Sequence, residues 1–371
     1  MGQTRRDWLK SSLGIGGLLV TPSTLLSAKE IADYNPRPLD KIVRLSSNEN
    51  PYGPSKKVQE SIIKAFDHAC RYPYEYSDAL AEKLAKIHGV APESIIITGG
   101  STEGLKITGL TFAHSGGEII AGQPTFLAMM DYAKGWDATI NWVPVGEDKG
   151  YDLNEIERRI SSKTKLVFLC NPNNPTGTLL PADALTDFCN SVSDRTIVFS
   201  DEAYYDFIEE DDYPSMDALV RQGKNVIVSK TFSKVYGLAG TRIGYLIAPP
   251  YLADQIRKNV VAMSNVLAIA AAEASLDDHD FYQFSIEQNR KQKHRIYDLL
   301  NHLQLDYVRS STNFIFFHSK RDIRELGPEM LAKGVRIGRP FPPFYDWCRI
   351  STGTAEEVDL FIKGMLEVYN G

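Results

Sequence analysis

Lys234 lies in Ser229–Tyr245, SKTFSKVYGLAGTRIGY, with Thr231 and Ser233 just before it and Arg242 eight residues after it. The stretch reads as a buried strand (Val226 to Ser229), a hydroxyl-rich turn, then a glycine-rich return into another strand. A lysine amine so placed can form a Schiff base with an aldehyde. The hydroxyls and the guanidinium can grip a phosphate on the same molecule.

Four other stretches offer complementary chemistry. Gly99-Gly100-Ser101-Thr102-Glu103-Gly104 follows a strand and opens a helix, where free backbone N–H groups and the helix dipole favour an anion. Phe126, in Gln123-Pro124-Thr125-Phe126, could stack on a flat ring or pack in the core. Asn171-Pro172-Asn173-Asn174-Pro175-Thr176-Gly177 makes a tight turn after an apolar run ending at Cys170. Asp201, before Glu202-Ala203-Tyr204, ends another apolar strand. A carboxylate there is costly without a cationic partner. A protonated pyridine nitrogen would be such a partner; a helix N-cap is the other reading.

Elements of two kinds must position these groups. Strands are expected at Ile95–Thr98, Glu118–Gly122, Ile140–Val145, Leu166–Cys170, Thr196–Ser200, Val226–Ser229 and Ile243–Ala248, mostly with helix-length segments between them. Asp183 to Val192 is one such segment, with Leu185, Phe188, Cys189 and Val192 on one face. Near-continuous apolar strands alternating with helices predict an α/β fold with a mainly parallel, seven-stranded sheet covered on both faces. Ligands bind beyond the strand C-termini in such sheets, and the residues above cluster there. Ser55 is the expected N-cap of a helix after the turn-rich loop 45–54. The aromatic loop 71–76 leads to a second helix from about Asp78 to His88. After Pro249-Pro250 the pattern predicts long helices to Leu303. The strands Phe314–His318, Val335–Gly338 and Cys348–Ser351 and a helix near Ile323–Lys333 would complete a smaller α+β domain. The expected division is 29–45 as an N-terminal arm, 46–248 as the large domain and 249–371 as the small one.

Composition narrows the classes. The chain has 371 residues, 43% hydrophobic and 24% charged, with net charge −6; no basic patch points to nucleic acid. The four cysteines form no CxxC and share no metal-ligand spacing with histidine, so no metal is expected. Residues 1–28 read as a signal peptide. Thr4-Arg5-Arg6-Asp7-Trp8-Leu9-Lys10 resembles a twin-arginine motif, and Leu26-Ser27-Ala28 resembles a cleavage site. The apolar run from Leu13 to Val20 is too short to span a bilayer. Export by the twin-arginine machinery to the periplasm is the expectation, with a cytoplasmic location if the signal does not function and no stable membrane association.

Taken together, NENPYGPS, RYP, GGSTEG, NPNNPTG, SDEAY, TFSK with its following arginine, and RISTGT resemble the fold type I pyridoxal-phosphate aminotransferases of class I/II, specifically the histidinol-phosphate aminotransferase group. The resemblance runs from about Leu45 to the C-terminus. It implies that Lys234 carries pyridoxal 5'-phosphate as a Schiff base and shuttles the proton. It implies that Asp201 pairs with the pyridine nitrogen, that Asn174 and Tyr204 bond the phenolic oxygen, and that Phe126 stacks on the ring. Ser101, Thr102, Thr231, Ser233 and Arg242 hold the phosphate, and Tyr72 reaches the phosphate of the second subunit of a homodimer. Arg349 is implied to bind the substrate carboxylate, and Arg339 is the nearest match to an arginine that meets a substrate phosphate.

Asn50 and Tyr52 complete the expected substrate site, with Tyr74 beside Tyr52 in the pocket. The implied reaction moves an amino group from an amino acid, or a histidinol-phosphate-like amine, to a 2-oxo acid. The aromatic loop 340–347, with its prolines, would suit an aromatic or apolar side chain. Ser101-Thr102 departs from the alanine-aspartate pair common in the group. The alternatives are a decarboxylase or other lyase on the same scaffold, and a non-enzymatic pyridoxal-phosphate-binding protein.

Overall fold

The computed structural model describes residues 42–370; the expected signal peptide and most of the arm lie outside them. Eleven strands occur among the described residues. They are β1 (Val43–Arg44), β2 (Ile95–Thr98), β3 (Glu118–Gln123), β4 (Thr139–Pro144), β5 (Thr164–Cys170) and β6 (Ile197–Asp201), followed by β7 (Val226–Thr231), β8 (Gly244–Ile247), β9 (Phe314–His318), β10 (Val335–Arg336) and β11 (Trp347–Ser351).

Seven of them form the main sheet in the order β2-β8-β7-β6-β5-β3-β4. Only β8 runs opposite to the other six. All seven expected strands are present, with ends shifted by a residue or two. Side-chain alternation along the central strands separates two cores. Val167, Leu169, Val226 and Val228 pack on one side with the helices Tyr74–His88, Ala182–Val192 and Val266–Leu276. Leu166, Phe168, Cys170 and Ile227 pack on the other with the helices Ser101–Ala113, Ala128–Lys134 and Pro250–Arg257. Burial on both faces is why these strands read as unbroken apolar runs. The edge strand β4 is the exception: it is largely half-exposed and tolerates Pro144.

A third core joins β9, β10 and β11 to the helices Ile323–Ala332 and Ala355–Tyr369 and to part of the long helix His279–His302. β11 pairs antiparallel with β9. The C-terminal helix begins with a reciprocal cap between Thr354 and Glu357.

The packing departs from the expected division at two points. Pro249-Pro250 starts a helix whose Leu252, Ala253 and Ile256 pack on the large sheet, and the helix Val266–Leu276 does the same on its other face. The large unit therefore extends to about residue 276. At the other end, Val43 and Leu45 donate backbone hydrogen bonds to Gly334 and Arg336, and β1 pairs with β10. Residues 43–45 thus belong to the small unit rather than to a free arm. Tyr74 is a correction too: with Glu75 and Tyr76 it forms the first turn of the second helix, 61% exposed, instead of lining a pocket.

Candidate active site

β2, β3, β5, β6 and β7 all run the same way, so their C-terminal ends share one edge of the sheet. A cavity of about 310 Å³ opens there. Phe126, Asn174, Asp201, Tyr204 and Lys234 line it. So do Ser101, Thr102, Ser233 and Arg242 from the strand-to-helix turn and the lysine turn, and Arg339 and Arg349 from the small unit.

Lys234 Nζ donates to the backbone carbonyl of Asn48 at 2.9 Å. Burial, and the nearby Arg349 after it, push its pKa down from 10.5 to about 8. Asp201 is 2% exposed, and its Oδ1 has no hydrogen-bond partner among the described residues. Burial raises its pKa from 3.8 to about 7, against the pull of the Ala203 backbone N–H and of Lys234. An unpartnered buried carboxylate is unstable as an anion. It calls for a cation or a donor from something that enters the cavity.

The opposite charge problem is posed by Arg349. Its Nη1 donates to Asn174 Oδ1 (2.7 Å) and its Nη2 to the Ser46 carbonyl (2.5 Å), while its buried Nε has no partner among the described residues. Burial lowers its pKa to about 10. Its guanidinium lies over Phe341, 4.8 Å from the ring centroid. Tyr204 receives a hydrogen bond from Asn48 Nδ2 at 2.9 Å, and burial pushes its hydroxyl pKa up.

The anion end is built from the helix Ser101–Ala113. Gly100 precedes it with φ +86 and supplies no side-chain cap, and Ser101 and Thr102 of its first turn line the cavity. A Cβ on Gly100 would stand 2.3 Å from Arg242 Nη2, but it is the φ of +86 that favours glycine at that position. Arg242 itself takes a left-handed backbone, φ +57, and Nη1 bonds the Ala239 carbonyl at 2.7 Å.

Four expected site residues do not line the cavity. Thr231 donates to Ser233 Oγ at 2.9 Å and accepts from the Ser233 N–H, so it orients Ser233 from behind. Asn50 donates to the Val235 carbonyl and to Ser285 Oγ, and its Oδ1 accepts from Tyr52 N–H. Tyr52 packs edge-on against Phe284, 4.8 Å between centroids. Both are tied into a separate small pocket where the 49–52 loop meets the long helix, which corrects their placement as substrate contacts. Tyr72 is 81% exposed and also stands away from the cavity of its own chain.

Sequence reasoning missed Asn48. Buried with φ +54, it donates from Nδ2 to Tyr204, accepts from Lys234 at its carbonyl, and exchanges two 2.8 Å bonds with Ser351. Thr125 and Cys170 also line the cavity. The signals were present: Asn48 opens the NENPYGPS stretch and Thr125 stands beside Phe126, but neither residue was assigned a role.

The donor set fits pyridoxal phosphate. The orphaned Asp201 Oδ1 suits a pyridinium nitrogen, the helix start with Arg242 and Ser233 suits a phosphate, and the Lys234 amine lines the same cavity. Residues 40–364 match the model of the family described as "Aminotransferase class I and II". A histidinol-phosphate aminotransferase from Halalkalibacterium halodurans is 37% identical over 333 residues, 89% of this chain and 90% of that protein. One from Moorella thermoacetica is 38% identical over 336 residues, 88% and 85% of the two chains. The crystal structure of histidinol-phosphate aminotransferase from Sinorhizobium meliloti in complex with pyridoxal-5'-phosphate superposes with TM-score 0.82 at 26% identity, covering 96% of this chain and 99% of that one.

Proposed function

The chain belongs to the aminotransferase class I and II family, and we propose that it carries out pyridoxal-phosphate-dependent transamination with Lys234 as the attachment point and base. The single observation that carries this reading is that Lys234 and the unpartnered Asp201 carboxylate line one cavity with an anion-binding helix start. Pyridoxal phosphate, when bound, supplies an electron sink that makes the hydrogen on the substrate α-carbon removable. Asp201 would hold a proton on the ring nitrogen, because a cation there satisfies its buried Oδ1. Asn174 and Tyr204 would serve the phenolic oxygen, and Phe126 would pack on the ring. Ser101, Thr102, Ser233 and Arg242 would hold the phosphate, with Thr231 fixing Ser233.

With its pKa lowered to about 8, the Lys234 amine is partly neutral near pH 7 to 8. It can then accept the α-proton and return it one position away. Arg349 presents its free Nε and one shared Nη to the substrate carboxylate, and removal of water around it strengthens that grip. The amino acceptor is a 2-oxo acid.

The amino donor we infer carries an anionic end, as histidinol phosphate does in the relatives' names. Of the aromatic loop, Phe341 lines the cavity together with Arg339, which stacks on it at 4.5 Å and, among the described residues, hydrogen-bonds only its neighbour's carbonyl, Pro340 O. Trp347 instead stacks on Phe316. An aromatic amino acid is the competing donor. Comparing turnover of histidinol phosphate, phenylalanine and tyrosine with 2-oxoglutarate decides this: preference for the phosphate ester supports the reading, and preference for phenylalanine or tyrosine overturns it. Carbon dioxide release without transfer to the oxo acid would favour a lyase.

Two further parts of the reading concern assembly and location. Ile63, Phe66, Tyr72 and Tyr74 expose apolar surface along one stretch, which supports a homodimer in which Tyr72 reaches the other copy's phosphate site. Arg5-Arg6 supports twin-arginine export to the periplasm. Light scattering tests the first, and fractionation of cells carrying Arg5→Lys with Arg6→Lys tests the second.

A further inference from the structure

Behind the cavity lies a buried polar knot that the reaction itself does not use. Tyr151 follows the tight turn Gly146–Gly150, closed by a hydrogen bond from Gly146 N–H to the Gly150 carbonyl at 2.9 Å. Its ring rests on Gly122 at the end of β3. A Cβ there would stand 2.1 Å from the ring, so the glycine makes room for the tyrosine. The Tyr151 hydroxyl reaches Asn173 Oδ1 at 2.6 Å and Thr125 Oγ1 at 2.7 Å, and Thr125 Oγ1 reaches Asn173 Oδ1 at 2.9 Å. Two hydroxyl protons thus serve three close contacts. Asn173, 1% exposed, spends its own donors on the Pro124 carbonyl (3.1 Å) and Thr176 Oγ1 (2.9 Å).

The knot therefore joins two loops that leave the sheet from different strands. Each loop carries a cavity residue at the next position: Thr125 precedes Phe126, and Asn173 precedes Asn174. Asn174 in turn accepts from Arg349 at 2.7 Å. Tyr151 itself is not among the residues lining the cavity. We propose that Tyr151 is a positioning residue: through Thr125 and Asn173 its hydroxyl sets where Phe126 and Asn174 stand against the cofactor. The proposal rests on the pyridoxal-phosphate reading above.

The sign of its effect follows from hydrogen bonding. Asn174 Nδ2 aimed at the phenolic oxygen favours the deprotonated form of the lysine-bound cofactor. A loosened Asn174 favours the protonated form. Tyr151→Phe keeps the ring over Gly122 and removes the hydroxyl. Loaded with pyridoxal phosphate, this variant should show the visible absorbance of the lysine-linked cofactor, with the midpoint of its pH titration raised by about half a unit. Its equilibrium affinity for pyridoxal phosphate should fall about threefold to tenfold. Thr125→Val should move the midpoint the same way by a smaller amount. A Tyr151→Phe midpoint and cofactor affinity equal to the parent's overturn the proposal, whether or not the cofactor-free protein melts at a lower temperature. Absence of the lysine-linked band in the parent protein would instead sink the transaminase reading, so the two failures are distinguishable.

Discussion

Asp201 and Glu202 are adjacent, equally buried acids at the end of β6, yet their surroundings are opposite. Glu202 Oε2 meets Lys230 Nζ at 2.6 Å and Ser215 Oγ at 2.7 Å, and its Oε1 accepts from the Met216 N–H at 2.8 Å. Lys230, four residues before Lys234, also lies over the Tyr205 ring at 4.1 Å. On the Glu202–Lys230 side every strong group has its partner inside the chain. On the Asp201–Lys234 side, among the described residues, a carboxylate oxygen has none, and the amine hydrogen-bonds a single backbone carbonyl. Two acid–amine sets leave the same pair of strands; one closes on itself and holds β6 to β7, and the other stays open for something that enters. The lesson is that burial alone does not mark the functional acid, whereas burial with an unfilled bond does.

The widest separation between the two sides should come from the lysines. Lys234→Ala should lower transamination by roughly 10⁴-fold or more, while Lys230→Met, if folded, should retain the lysine-linked absorbance and most of the kcat. Equal losses of activity in the two variants would erase the distinction.

The acids sharpen it next. Glu202→Gln leaves Lys230 buried without its charge partner and should cost about 3–5 kcal/mol in urea unfolding, with the absorbance titration unmoved. Asp201→Asn should do the reverse: little loss of stability in the cofactor-free protein, and at least about a hundredfold loss of kcat.

A pH experiment reads the open side directly. Without cofactor, the native Asp201 pKa of about 7 lies above its ordinary 3.8. The folded state then binds the proton more tightly, so stability falls as pH rises from 3.8 to about 7 and stays level above. The expected loss is on the order of 4 kcal/mol, absent in Asp201→Asn and reversed by saturating pyridoxal phosphate. A wild-type profile parallel to that of Asp201→Asn would contradict the open-carboxylate account.

The smallest effect is expected at the rim. Arg339→Ala should raise KM for a phosphorylated donor about tenfold and leave KM for phenylalanine unchanged. A uniform change for both donors would place Arg339 outside the substrate site.

How much of this was legible in the chain follows the same division. The central strands of the sheet were readable because burial on both faces writes them as apolar runs. Lys234, Asp201 and Asn174 were readable because each interrupts or follows such a run with a polar group. Asn48 was not, since its role arises from contacts to Tyr204 and Lys234, 156 and 186 residues away. Nor was Tyr151, whose hydroxyl acts through Asn173 across 22 residues. Asn50 and Tyr52 sat in a motif that suggested the substrate, but their hydrogen bonds and ring contacts go to Val235, Ser285 and Phe284. The boundary at Pro249-Pro250 misled because a proline pair can begin a helix as readily as end a domain. The Thr354–Glu357 capping box was in plain sight before an apolar run, and it marked a C-terminal helix that the strand pattern had drawn attention away from.

Borohydride reduction of the protein loaded with pyridoxal phosphate, followed by peptide mapping, tests the central claim most directly. The account predicts one pyridoxyl group per chain, on Lys234, and none on Lys230. Labelling of another lysine, or no stable label at all, would contradict it.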